Sequence, residues 1–164
     1  MLIPDVADET KSPQDSARQP EFRRSVSRLP CDESPLKGYG HSQMKYVLIS
    51  RDPEVLEQAQ SAFFPDDEVH LTQDWQEGLQ LAGGADLIFV DLLATLKQEN
   101  KIAGYEEFAE AKMADPNVSG VRLVLIWPPE DYVLDFMTGY PGFVFQHIQR
   151  PVTYQKLRRA TTFI

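Results

Sequence analysis

The chain has 164 residues, enough for one ordinary domain plus a tail, built around a single core. A formal net charge of −9 argues against nonspecific nucleic-acid or anionic-membrane binding, since both require a basic surface. One cysteine, Cys31, excludes an internal disulfide, and no apolar run nears the about 20 residues of a membrane span, so a soluble protein in a reducing, cytoplasmic setting is expected.

Residues 1–43 are expected to form a disordered tail. Pro4, Pro13, Pro20, Pro30 and Pro35 are mixed with Ser, Gln, Asp and Arg, with no sustained apolar period. So polar a segment cannot bury enough surface to offset its ordering entropy. Within it, Phe22, Val26 and Leu29 fall at i, i+4, i+7, which makes residues 20–29 a candidate helical face for a partner; a plain solvated tail is the alternative. Cys31 does not read as a lipid-anchored cysteine, because Arg23, Arg24, Ser25 and Arg28 stand where an apolar leader would lie. The tail is near neutral, whereas residues 45–164 carry about ten basic and eighteen acidic groups.

From Lys45 the texture changes. Tyr46-Val-Leu-Ile49 suits a strand buried on both faces. Asp52 and Pro53 start a helix as N-cap and first residue, and Val55, Leu56, Ala59 and Ala62 carry its apolar stripe to Phe64, before Pro65. Glu68-Val-His-Leu71 reads as a second strand, and Asp74 caps a second helix that ends at Gly83-Gly84. Asp86–Leu92 is the third strand. A polar stretch around Lys97–Lys101 precedes a helix near Tyr105–Ala114, with Tyr105, Phe108, Ala109 and Lys112/Met113 on related faces. Val121–Trp127 is the fourth strand, residues 130–138 a fourth helix with Val133, Leu134 and Met137 inward, Gly142–Ile148 the fifth strand, and Pro151 to about Thr162 the last helix.

Strands alternating with helices over about 120 residues imply an α/β flavodoxin-like fold, a doubly wound five-stranded parallel sheet of order 2-1-3-4-5. Ligands of such sheets bind at the strand C-termini beside the switch point. Here that edge is lined by Ser50, Arg51, Asp52, Asp91, Trp127 and Arg150. His41, His70 and His147 lack metal-ligand spacing, no Gly-rich phosphate loop follows a strand, and neither metal nor cofactor is expected. Glu106, Glu107 and Glu110 read as a solvated helix face.

Val47-Leu-Ile-Ser-Arg-Asp-Pro53, Asp86-Leu-Ile-Phe-Val-Asp91-Leu, Ala114-Asp-Pro116 and Arg150-Pro151, in this order and spacing, resemble the receiver domain of bacterial two-component response regulators over nearly all of 45–164. The resemblance implies that Asp91 matches the phosphoacceptor. It also exposes departures. The acidic pair that holds Mg²⁺ after the first strand is Ser50 and Arg51 here; the Thr or Ser after the fourth strand is Trp127; the Lys after the fifth is Arg150; the switch aromatic is His147. The loop between Asp91 and Gly104 is about five residues longer than is usual in such domains.

Mg²⁺ needs oxygen ligands, whereas Arg51 brings a fixed positive charge, and either Arg51 or Arg150 could ion-pair with Asp91 in place of the metal. Trp127 would crowd the entrance. The expectation is therefore a degenerate receiver, a pseudo-receiver without catalysis, that acts through protein association; the alternatives are a stand-alone response regulator still phosphorylated on Asp91, or a nucleotide-binding α/β protein. In receiver relatives the face of the fourth helix, fifth strand and fifth helix carries dimer and output contacts. Here it would present Tyr132, Phe136, Tyr140, Phe143, His147 and Tyr154 to a protein partner or a second copy. No output domain follows Ile164, so output by association is expected.

Overall fold

A computed structural model describes residues 42–130, 132 and 143–164, which lie in a compact unit spanning Gly40–Ile164. Residues 1–41 of the tail, with Cys31, the 20–29 segment and His41, and also Val133, Leu134, Phe136, Met137, Tyr140 and nearly all of the fourth helix expected over 130–138, lie outside the described residues.

Among the described residues the strands are β1 (Lys45–Ile49), β2 (Glu68–Thr72), β3 (Leu87–Asp91), β4 (Arg122–Ile126) and β5 (Gln146–Ile148). The helices are α1 (Pro53–Gln60), α2 (Trp75–Leu81), α3 (Leu92–Thr95), α4 (Ala103–Ala114) and α5 (Tyr154–Thr161). All strand pairs are parallel and the order is β2-β1-β3-β4-β5, as the alternation predicts.

Side chains alternate between the two faces of this sheet, so each central strand feeds two cores. Val47, Ile49, Ile88, Val90, Leu123 and Leu125 pack under Trp75, Leu79 and Phe108 of α2 and α4. Tyr46, Leu48, Leu87, Phe89, Val124 and Ile126 pack under Val55, Ala59, Leu157 and Ala160 of α1 and α5. Burial on both faces explains why these strands read as continuous apolar runs. Each fully buried Leu or Ile stabilises the fold by about 1.5–3 kcal/mol. No helix among the described residues is long and apolar enough to cross a membrane.

Several element ends differ from expectation, each for a local reason. Helix α1 stops at Gln60 rather than Phe64, because Asp67 draws the following turn together: its carboxylate accepts from Phe64 N at 3.0 Å and from Met44 N at 3.2 Å. Helix α5 starts at Tyr154 rather than Pro151, because Thr153 is its N-cap, and Lys156 Nζ instead ties the carbonyls of Gln149 and Pro151 together. Strand β5 begins at Gln146: Phe145 N bonds Leu123 O at 2.8 Å, but Phe143 leaves the strand path to pack on Tyr105 and Phe108. The largest correction is α3. The stretch after Asp91 is a short buried helix, Leu92–Thr95, which occupies part of the long loop and was not expected.

Candidate functional site

The C-terminal ends of β1, β3, β4 and β5 meet at one point, and four long-range hydrogen bonds define it. Asp91, at the end of β3, is 1% exposed. Its Oδ2 accepts from Ser50 Oγ at 2.8 Å and from Arg150 Nη2 at 2.7 Å. Its Oδ1 accepts from Leu93 N at 3.2 Å, so the same carboxylate is the N-cap of α3. Ser50 is itself fully buried, and its Oγ also accepts from Asp52 N at 3.1 Å.

Asp52 divides its two oxygens. Oδ1 accepts from Glu54 N at 2.9 Å, the capping role that its place before Pro53 predicts, while Oδ2 accepts from Arg150 Nη1. The third guanidinium donor, Arg150 Nε, reaches Trp127 O at 3.1 Å. One cation thus bridges two carboxylates and a strand-end carbonyl. Burial alone pushes a guanidinium toward neutrality, but Asp91 and Asp52 outweigh it and hold the Arg150 charge more firmly than usual. Of the two arginines that could have paired with Asp91, the structure selects Arg150. Arg51 is exposed, and its guanidinium reaches the Leu96 carbonyl at 3.5 Å.

This donor set does not fit the Mg²⁺ of receiver domains. Mg²⁺ demands several oxygens in octahedral array. Here Asp52 and Asp91 both point an oxygen at the Arg150 guanidinium, and the third candidate oxygen, Ser50 Oγ, is neutral and spent on Asp91 and Asp52 N. No group of three His, Cys, Asp or Glu side chains suited to a metal ion occurs among the described residues.

Trp127 leans toward β5. Its Nε1 donates to His147 Nδ1 at 2.8 Å, with ring centroids 5.4 Å apart. That bond requires the His147 tautomer with its proton on Nε2. Trp127, Pro128, Pro129, Tyr132, Arg150 and Pro151 wall a groove of about 550 Å³ beside the Arg150 bridge.

The aromatic residues assigned to partner binding do not form one patch among the described residues. Tyr132 is half-buried and its hydroxyl accepts from Asn100 N at 2.9 Å. Phe143 packs edge-on against Tyr105 and Phe108, with Lys112 Nζ 5.3 Å from its ring centroid. His147 is exposed beside Trp127, and Tyr154 is exposed on α5 with the Arg158 guanidinium 6.0 Å from its ring. Phe136 and Tyr140 lie outside the described residues. Glu106, Glu107 and Glu110 form the expected solvated face.

Lys112, expected on the same helix face as Tyr105 and Phe108, turns out to be wholly buried. It is 2% exposed, and its Nζ donates to the carbonyls of Val118 and Ser119, each at 3.1 Å. Desolvation lowers its pKa. The signal was its i+4 spacing from Phe108, which puts it on the inward face of α4.

No family model and no curated protein matches the chain. Solved structures do. A CheY-like response regulator receiver domain protein from Methanospirillum hungatei JF-1 aligns at 16% identity and TM-score 0.51, over 74% of this chain and 93% of that one. The signal receiver domain of an HD domain-containing protein from Pseudomonas fluorescens Pf-5 gives 15% identity and TM-score 0.52, over 74% and 93%. The phosphorylated cyanobacterial phytochrome response regulator RcpA gives 16% and 0.50, over 74% and 91%. At such identities the likeness establishes architecture: the described residues have the fold of CheY-like receiver domains.

Proposed function

We propose that this chain is a receiver-like signalling module that works without phosphoryl transfer and acts by binding a protein partner. The observation that carries this reading is the occupation of Asp91. Its carboxylate is buried, both oxygens accept hydrogen bonds, and its counter-charge is a guanidinium that cannot be titrated away near neutral pH. Phosphoryl transfer to a carboxylate depends on an accessible oxygen and on charge neutralisation of the incoming group, normally by a metal. A phosphoryl group at Asp91 would have to displace Arg150 or Ser50. Among the described residues, exposed His147 and Tyr154 are the side chains through which association is proposed.

The test is incubation of the full chain with a small phosphoryl donor and Mg²⁺, read by intact mass. No added phosphate is expected, and the melting temperature should not change when the metal is chelated. A mass shift of one phosphate that disappears in Asp91→Asn would instead make the chain a stand-alone response regulator phosphorylated on Asp91.

A further inference from the structure

Among the described residues strand β2 is one edge of the sheet, pairing with β1 alone. Glu68 N bonds Met44 O and Ser50 N bonds Thr72 O, so in a parallel ladder Glu68, His70 and Thr72 turn their main-chain groups toward β1. Val69 and Leu71 turn theirs outward. Open edges are usually blunted by Pro, Lys or a bulge. The five residues of β2 contain neither Pro nor Lys, and their register with β1 runs unbroken from Glu68 to Thr72. Beside this edge lies an apolar pad: Leu71 is 37% and Phe64 47% exposed, and with Phe63, Pro65 and Val69 they line a groove of about 460 Å³.

We propose that β2 is a self-association edge, pairing antiparallel with β2 of a second copy about a two-fold axis through His70. The main-chain directions of β2 and its apolar pairs suit a second copy. With the axis at His70, Val69 stands opposite the copy's Leu71 and exchanges both main-chain hydrogen bonds with it, and the reciprocal pair doubles the set. The apolar side chains of both pairs fall on the face that carries the Phe64 groove. Glu68 stands opposite the copy's Thr72, so the two Glu68 carboxylates are not directly opposed. The two five-stranded sheets become one continuous sheet. The edge lies apart from Asp91, so this inference stands or falls separately from the proposed function.

The geometry predicts a crosslink. Residues at the axis form a non-hydrogen-bonded pair with Cα atoms about 4.5 Å apart, within the range a disulfide spans. Position 71 and its own symmetry mate sit on a diagonal, about 7–8 Å apart or more, beyond easy bridging. In a full-length Cys31→Ser background, His70→Cys should form a disulfide dimer under mild oxidation much faster than Leu71→Cys. Sedimentation of the native chain up to about 1 mM should show mass rising toward two chains, a range that registers weak interfaces. Leu71→Lys should hold the mass at one chain with its melting transition intact. Should Leu71→Lys fail to fold, Val69→Pro replaces it, because that change removes an outward N–H while leaving the β1 ladder whole. A native chain that stays monomeric throughout, a dimer that survives both variants, or faster crosslinking at position 71 than at 70 would overturn the proposal.

Discussion

Replacing Arg150 by Gln removes the cation from two carboxylates at once while keeping some side-chain bulk. The Arg150 side chain is 17% exposed, Asp91 1% and Asp52 28%, so the Asp91 arm is the one shielded from water. Breaking a buried ion pair from one side costs about 3–5 kcal/mol, because the remaining charge stays buried without a partner. Ser50 Oγ and Leu93 N remain on Asp91, which places the expected loss at the lower end, about 3 kcal/mol. For a folded unit of this size that corresponds to a fall in Tm of about 10 °C. The partly exposed Asp52 arm should add under about 1 kcal/mol. The cost should largely vanish once Asp91 is neutral, since the carboxylate is what makes the missing cation expensive. Urea denaturation of native chain, Arg150→Gln, Asp91→Asn and the double variant gives the coupling energy directly, expected at about 2 kcal/mol. If Arg150→Gln costs below about 1 kcal/mol, or if the two changes add within about 0.5 kcal/mol, the bridge is not what holds Asp91.

Three other outcomes follow from the geometry. Burial lowers the Lys112 pKa below its ordinary 10.5, so the unfolded chain binds more protons between the folded and unfolded values, and stability should rise as pH climbs through that window. Lys112→Met should flatten this rise, which is at most about 1.4 kcal/mol per pH unit, as read by denaturant melts from neutral pH to about 10; an unchanged slope would refute the burial argument. A Cβ at Gly104 would collide with the Thr95 carbonyl and come within 2.8 Å of Lys97 N, both backbone, so Gly104→Ala should cost about 3 kcal/mol, measured by thermal melting. His147→Leu removes the acceptor of the Trp127 indole at a half-open edge and should cost about 1 kcal/mol or less in the same assay.

The sheet was legible because burial on both faces leaves apolar runs that need no long-range knowledge. Asp52 and Asp74 were legible as caps because an N-cap is a local event, an Asp just before Pro53 or Trp75. Helix α3 was not, because Leu92-Leu-Ala-Thr-Leu96 continues the apolar run of β3 and its cap is Asp91, which had been read as an ion-pair partner and not as a cap. Within the site the residue list could be read, but its wiring could not. Whether Arg51 or Arg150 reaches Asp91 depends on how β5 is set against β1, and the Trp127–His147 bond joins the ends of two strands 20 residues apart. Lys112 was legible as sharing a face with Phe108, but not as buried to this depth, because the carbonyls of Val118 and Ser119 that make its burial tolerable lie beyond the helix.

The Asp91 knot also bears on how the chain comes apart. It gathers partners 41 and 59 residues away along the chain, from the end of the first strand and from the segment after the last. Such contacts close only after the strands between them have assembled, so they belong on the native side of the folding barrier. Loss of Arg150 should therefore leave the folding rate nearly unchanged and appear as faster unfolding. Hydrogen bonds that tie the working edge together in this way are expected to act on the lifetime of the folded state more than on its rate of formation, which unfolding kinetics of Arg150→Gln would read.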